Sequence, residues 1–214
     1  MSAWVIEHPK GNVLFDSGLH IRERDEPPEN SSFDVRMEHQ IDAALIAKGV
    51  DPERVDVIIF SHLHWDHCGG SHLIPNARFM VQSREWEIAT RDQGLPGGYE
   101  RDLYDLGHDI VPLDGEHDVF GDGSVVCVPT PGHTAGHQSL RVNLEGGSVL
   151  LVADCCYWSD MLENDLLPPE GLGYDRDAQR RSMQRLRDLQ SEGVVLYFGH
   201  DKEQWQGIKG KVFL

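Results

Sequence analysis

Residues 61–67 read SHLHWDH, and the fold turns on what that stretch is. His62, His64, Asp66 and His67 crowd together directly after VDVIIF, a run whose uninterrupted apolar character marks a strand buried on both faces. Imidazole nitrogen and carboxylate oxygen are the donors zinc takes, commonly in tetrahedral sites that, when catalytic, keep one position for water. On an extended strand end alternate residues face one side, so His62, His64 and Asp66 are expected to point together. His67 follows where the two glycines of CGG let the backbone bend tightly. One loop then offers four ligands, more than one ion readily uses, and two adjacent ions are the expectation.

Three other positions stand at strand ends and complete such a pair of sites: His133 in TPGHTAGH, Asp154 in LLVAD and His200 in YFGHD. Ligands delivered from strand ends onto one rim of a sheet give the rigidity a metal site needs. His20, His39, His72, His108 and His117 are read as ordinary surface or core histidines.

The surrounding chain supports a layered α/β domain. WVIEHPKGNVLFDSG reads as a hairpin turning at HPKGN. RERDEPPENSS reads as a surface loop. A helix through RMEHQIDAALIAKG is expected, capped by Asp34 and stopped by Gly49, with Ile41, Ala44 and Leu45 as its core positions. ARFMVQ is a further strand and SREWEIATR a short helix opened by Ser83. SVVCVPTPGH, the pair in HQSLRVNLEGGSVLLVAD turning at Gly146-Gly147, and VVLYFGH supply the remaining strands. DRDAQRRSMQRLRDLQSEG is a helix capped by Asp175 or Asp177 and ended by Gly193. Strands thus come in consecutive groups with helices between the groups, which favours a mixed arrangement over a strict βαβ repeat.

Composition bounds the function. With 214 residues the chain is at the upper edge of one domain, and 39% hydrophobic with 26% charged residues is ordinary globular usage. A net charge of −17 repels polyanions, which counts against nucleic acid as a partner and leaves neutral or cationic small substrates. No run approaches the roughly 20 apolar residues of a membrane span. The opening MSAWVIEHPKG has no secretory pattern, and Cys68, Cys127, Cys155 and Cys156 show no spaced framework, so a cytoplasmic setting with free thiols is expected.

SHLHWDHCGG, TPGHTAGHQSL, GSVLLVADCCY and FGHDKEQ together resemble the metallo-β-lactamase superfamily, and the finer match is to the N-acyl homoserine lactonases, which open the lactone ring of bacterial quorum signals. HxHxDH alone identifies the superfamily; Tyr157, three residues after Asp154, and the late FGHD narrow it. The resemblance implies one hydrolase domain over residues 1–214, an αβ/βα sandwich of two mixed sheets flanked by helices, without the family's first N-terminal strand and loop. It also implies two divalent ions, zinc being expected. His62, His64 and His133 would hold one, Asp66, His67 and His200 the other, and Asp154 would bridge them together with a water or hydroxide that attacks a small-molecule lactone. Asp66 would also relay a proton, and Tyr157 would donate a hydrogen bond to the developing oxyanion. Asp16 in LFDSG matches a family aspartate and is read either as the partner orienting a ligand histidine or as a turn cap. Trp65 is placed opposite His64, lining an acyl pocket or filling core. Phe33, Met161 and Leu162 are better read as core than as pocket, and Cys155-Cys156 as buried thiols.

The rivals are a hydrolase of the same fold acting on another lactone, a thioester or a β-lactam, and a mononuclear iron persulfide dioxygenase. Diiron relatives usually carry glutamate where this chain has His64, which counts against them.

Overall fold

In the computed structural model, residues 2–25, 39–91, 94, 97–169 and 173–213 are described. They form two compact units, Met1–Val81 with Trp86–Pro112, and Gln82–Glu85 with Leu113–Leu214. The first carries a five-stranded sheet in the order β1 (Trp4–His8), β2 (Gly11–Phe15), β3 (Val57–Ile59), β4 (Arg78–Gln82) and β5 (Ile110–Leu113). The hairpin expected at HPKGN is β1–β2, antiparallel with Trp4 opposite Phe15 and His8 opposite Gly11. β2, β3 and β4 run parallel. All three residues of β3 are buried, which is why its sequence shows no alternation.

Helices α1 (Arg22–Asp25), α2 (Ile41–Ala47), α3 (Trp65–Cys68) and α4 (Ser83–Ala89) follow in chain order. Helix α1 corrects the reading of RERDEPPENSS as loop from its first residue; residues 26–38, with Phe33 and the expected cap Asp34, lie outside the described residues. The helix after them begins at Ile41 behind Gln40, which makes no side-chain cap bond, and stops as expected at Gly49, whose φ is +80°. Leu45 is buried, whereas Ile41 and Ala44 are only half-buried, so the core stripe is narrower than the sequence suggested.

The second unit carries a sheet in the order β10 (Val195–Phe198), β9 (Gly147–Ala153), β8 (Gln138–Leu144), β7 (Val125–Pro129) and β6 (His117–Asp118). β9 pairs antiparallel with β8 and parallel with β10, so this sheet is mixed, as the first one is. The β8–β9 turn is centred on Glu145-Gly146, one residue earlier than expected, and Gly147 already belongs to β9. Helices α5 (Ser159–Glu163), α6 (Arg176–Ser191) and α7 (Lys202–Ile208) complete the unit. The α6 cap is Asp175, whose carboxylate accepts from the Ala178 N–H at 2.9 Å, a contact worth about 1 kcal/mol. Met183 and Leu186 of α6 are fully buried in one cluster with Val126, Leu150, Val152 and Phe198. Truncating either to alanine costs roughly 2–5 kcal/mol. Two mixed five-stranded sheets with flanking helices are the fold class the sequence pointed to. Among the described residues no helix is long and apolar enough to cross a membrane.

Candidate metal centre

The SHLHWDH stretch folds as a strand exit followed by one helical turn. β3 ends at Ile59, and His64, in extended backbone (φ −72°, ψ 152°), caps α3. The His67 and Cys68 N–H groups both donate to the His64 carbonyl, at 2.9 and 3.1 Å. The alternation expected for a strand therefore stops at His64, and Asp66 and His67 are presented from a helix. The glycines behind them serve close approach rather than bending: a Cβ on Gly69 would lie 2.3 Å from the His20 nitrogen, and one on Gly70 2.3 Å from the Ser17 carbonyl oxygen. Gly98, at φ +92°, lies against the His64 ring, which a Cβ there would meet at 2.7 Å.

A buried hub orients these histidines. Asp16 accepts from the Ser61 N–H through Oδ1 at 2.7 Å, and from the Ser61 hydroxyl and His67 Nδ1–H through Oδ2, both at 2.8 Å. The Ser61 oxygen lies 2.9 Å from His62 Nδ1. Because that hydroxyl gives its proton to Asp16, it accepts from His62. Both imidazoles are thereby held with Nδ1 protonated and Nε2 as the lone-pair nitrogen, the form a metal ligand needs. His62 Nε2 lies 3.1 Å from His64 Nδ1, and Asp66 Oδ2 3.7 Å from His67 Nε2. Burial pushes the Asp16 carboxyl above its ordinary pKa, although His67 and the Ser61 donors act in the opposite direction. Of the two roles considered for Asp16, partner of a histidine is the one the structure shows.

The second unit collects His133, Asp154, His200 and Tyr157. Asp154 follows β9 through Ala153, whose φ of +52° is a left-handed conformation that costs a residue with a Cβ of order 1 kcal/mol or more. Its carboxylate is shared between two histidines: Oδ1 lies 3.1 Å from His200 Nε2 and Oδ2 3.5 Å from His133 Nε2. The Asp154 N–H donates to His137 Nε2 at 3.1 Å, so His137 carries its proton on Nδ1, 2.9 Å from the Thr130 hydroxyl. Thr130 in turn meets Ser139, which donates to the Val152 carbonyl of β9 itself. The Tyr157 hydroxyl is 3.3 Å from His133 Nδ1, and its ring lies edge-on to His200 at 5.3 Å.

The structure thus gathers His62, His64, Asp66, His67 and Asp16 within one unit and His133, Asp154, His200 and Tyr157 within the other. Trp65 is half-buried; Met161 and Leu162, each 3% exposed, are core. All four cysteines are buried and free, and burial pushes the Cys127 and Cys156 thiols up to about 12. Sequence reasoning missed Ser61 and His137. Ser61 adjoined the cluster, and His137 closes the TPGHTAGH motif, but only folding reveals which groups their polar atoms meet.

Each unit thus places a cluster of imidazole and carboxylate donors beside its own mixed sheet. The family model of the metallo-β-lactamase superfamily matches residues 2–200, and the chain belongs to that superfamily. Within it the similarity is to the N-acyl homoserine lactonases. The lactonase AttM of Azorhizobium caulinodans is 35% identical over 96% of this chain and 83% of its own length, and a Bacillus cereus lactonase gives the same three figures. A solved N-acyl homoserine lactone hydrolase, with N-hexanoyl-L-homoserine bound at its catalytic metal centre, superposes with a TM-score of 0.84 at 29% identity, covering 99% of this chain and 84% of that one. A point mutant of Bacillus thuringiensis AiiA with N-decanoyl-L-homoserine bound at its active site also gives 0.84, at 30% identity and the same coverage.

Proposed function

We propose that this chain hydrolyses the ring ester of N-acyl homoserine lactones at a centre of two divalent metal ions, with residues 1–214 acting as one hydrolase domain. The observation that carries the metal reading is the Asp154 carboxylate, whose two oxygens face two different histidines, as a bridging carboxylate's would. The donor set fits: each residue offers an imidazole nitrogen or a carboxylate oxygen, which suits zinc, and the hub on Asp16 leaves His62 and His67 with a lone pair on Nε2. In this reading His62, His64 and His133 hold one ion, Asp66, His67 and His200 the other, and Asp154 joins them. Bound there, the ions supply Lewis acidity and bring the acidity of water toward neutral pH. The substrate reading is supported by the relatives, named N-acyl homoserine lactonase at 32–35% identity over most of the chain.

The chain's own groups supply the rest. With His133 Nε2 given to an ion, its Nδ1 would carry the proton and donate to the Tyr157 oxygen 3.3 Å away, which would leave the phenol proton free to be given to the lactone carbonyl as charge develops on it. Asp66, 22% exposed at its side chain, is the carboxylate placed to take up and pass on a proton. A neutral lactone with an acyl tail also suits a chain of net charge −17 better than a phosphodiester would.

The test is a panel of acyl homoserine lactones, other lactones, thioesters and β-lactams assayed with metal-loaded protein, alongside elemental analysis. Two ions per chain and fastest opening of acyl homoserine lactones are expected. Faster cleavage of a thioester or β-lactam overturns the substrate, and one iron with no second ion overturns the centre.

A further inference from the structure

Directly after Tyr157 an indole stands in solvent on a backbone that is fixed in place. Trp158 is 44% exposed, although the chain carrying it is held from both sides. The Ser159 N–H and hydroxyl both donate to Asp201 Oδ2, at 3.1 and 2.8 Å, while Asp201 Oδ1 accepts from the Gln204 N–H at 2.9 Å and so caps α7. One residue earlier, the His200 N–H donates to the Tyr157 carbonyl at 3.1 Å. These bonds tie the exit of β9 to the exit of β10. Trp158 therefore cannot tuck its ring away by moving its backbone. Singly exposed apolar residues are ordinary; what sets Trp158 apart is its fixed backbone and its place in a cleft beside His200.

Trp158 lines a cleft of about 280 Å³ whose wall also includes His200, with Ser159, Asp160, Lys202 and Glu203 around it. The indole is the one large apolar surface there. The carboxylate of Asp201 and the hydroxyl of Ser159 are engaged with each other, so they do not call for a polar ligand. At about 280 Å³ the cleft is smaller than pockets that enclose a whole small ligand, so it could hold only part of one. The ring is joined to the site by Tyr157, its centroid 5.7 Å from that of Tyr157, which in turn lies 5.3 Å from the His200 ring.

We infer that Trp158 forms the floor of a subsite for the acyl tail, an unbranched hydrocarbon chain lying along the indole with its other face toward the polar wall. The inference rests on the lactonase reading above and makes Trp158 a specificity-determining residue. A tail covered on one face gains about half the effect of full burial, which amounts to about a twofold rise in kcat/KM for each added methylene.

The experiment compares butanoyl, hexanoyl, octanoyl and decanoyl homoserine lactones on the wild type, Trp158→Phe and Trp158→Ala. Calorimetric titration of the ring-opened products gives a readout independent of turnover. The wild type is expected to gain roughly 16-fold from butanoyl to octanoyl, in KM rather than kcat. Trp158→Ala should lose most of that slope, so that its rate relative to the wild type falls with each added methylene, and Trp158→Phe should keep most of it. Should Trp158→Ala retain the wild-type slope, or lose activity equally at every chain length, the subsite is overturned and the lactonase reading stands. A wild type that opens none of these lactones overturns both.

Discussion

The two histidine clusters of this molecule are held by opposite devices. In the first unit the ligand candidates are contiguous, His62 to His67, and a buried carboxylate reaches them from 51 residues away to fix two histidine tautomers. In the second the candidates come from three separate strand exits, and the hub is a histidine, His137, which fixes the backbone of a carboxylate. Contact lengths vary within both sets: His67 lies 2.8 Å from Asp16 and 3.7 Å from Asp66 in the first, and Asp154 lies 3.1 Å from His200 and 3.5 Å from His133 in the second. Each set has left-handed backbone at its carboxylate, Asp16 itself at φ +58° and Ala153, just before Asp154, at φ +52°. What differs is the hub: in the first cluster a buried carboxylate sets imidazole tautomers, while in the second an imidazole holds a backbone N–H and two histidines face the Asp154 carboxylate, which an ion between them should order further.

Removing metal is the strongest way to break that comparison. An ion at 1,000 times its Kd stabilises a fold by about 4 kcal/mol, and a chain of this size loses roughly 2–4 °C per kcal/mol, so chelation should lower the melting temperature by roughly 8–16 °C for each such ion. Activity should vanish with it. Amide exchange should rise more in residues 130–137 and 199–201 than in residues 61–67. Equal protection in both segments before and after chelation would show that the second cluster is as preformed as the first.

Next in size is Tyr157→Phe, which keeps the ring against His133 and His200 and removes only the hydroxyl. Loss of one oxyanion donor costs on the order of 10²–10³ in kcat. Metal content and melting temperature should be unchanged. A variant with full turnover would return Tyr157 to packing, and the second cluster would then be a metal holder without a catalytic edge.

How much of this was legible in the sequence follows the same contrast. The seven candidate ligands could be named because each falls within a few residues after an apolar run, and β3, β7, β9 and β10 are such runs. β6, two residues long, and β5, which contains Pro112, have too little pattern to be read as strands; they exist because a neighbouring strand offers an edge. α3 was hidden inside the motif, since four residues carry no helical period. The hubs were harder still. Asp16 stood out through a family likeness, but neither its bond to His67 nor the chain from Asp154 through His137 to Val152 has any local signature. Each joins residues that only the fold brings together.

The smallest of these effects tests the hubs against each other. In Asp16→Asn the shape is kept but one carboxylate oxygen becomes an NH₂ group. If the amide replaces Oδ1 it faces the Ser61 N–H, donor against donor, at a distance of 2.7 Å in the native structure. If it replaces Oδ2, His67 must accept instead of donate at Nδ1, which puts the proton on Nε2, the atom needed for an ion. Either outcome weakens the hold on His67, and changes of this kind typically cost 10–100-fold in metal affinity or activity. His137→Ala removes the acceptor for the Asp154 N–H, and leaving that buried donor unpaired costs about 1–3 kcal/mol of stability. In the proposed centre His67 serves one ion and Asp154 both. Asp16 holds His67 directly and His62 only through Ser61, so metal titration should show the His67 site weakened more than the His62 site in Asp16→Asn, and both sites weakened alike in His137→Ala. If Asp16→Asn loosens both ions equally, the first cluster is no more self-contained than the second, and the contrast between the two hubs does not hold.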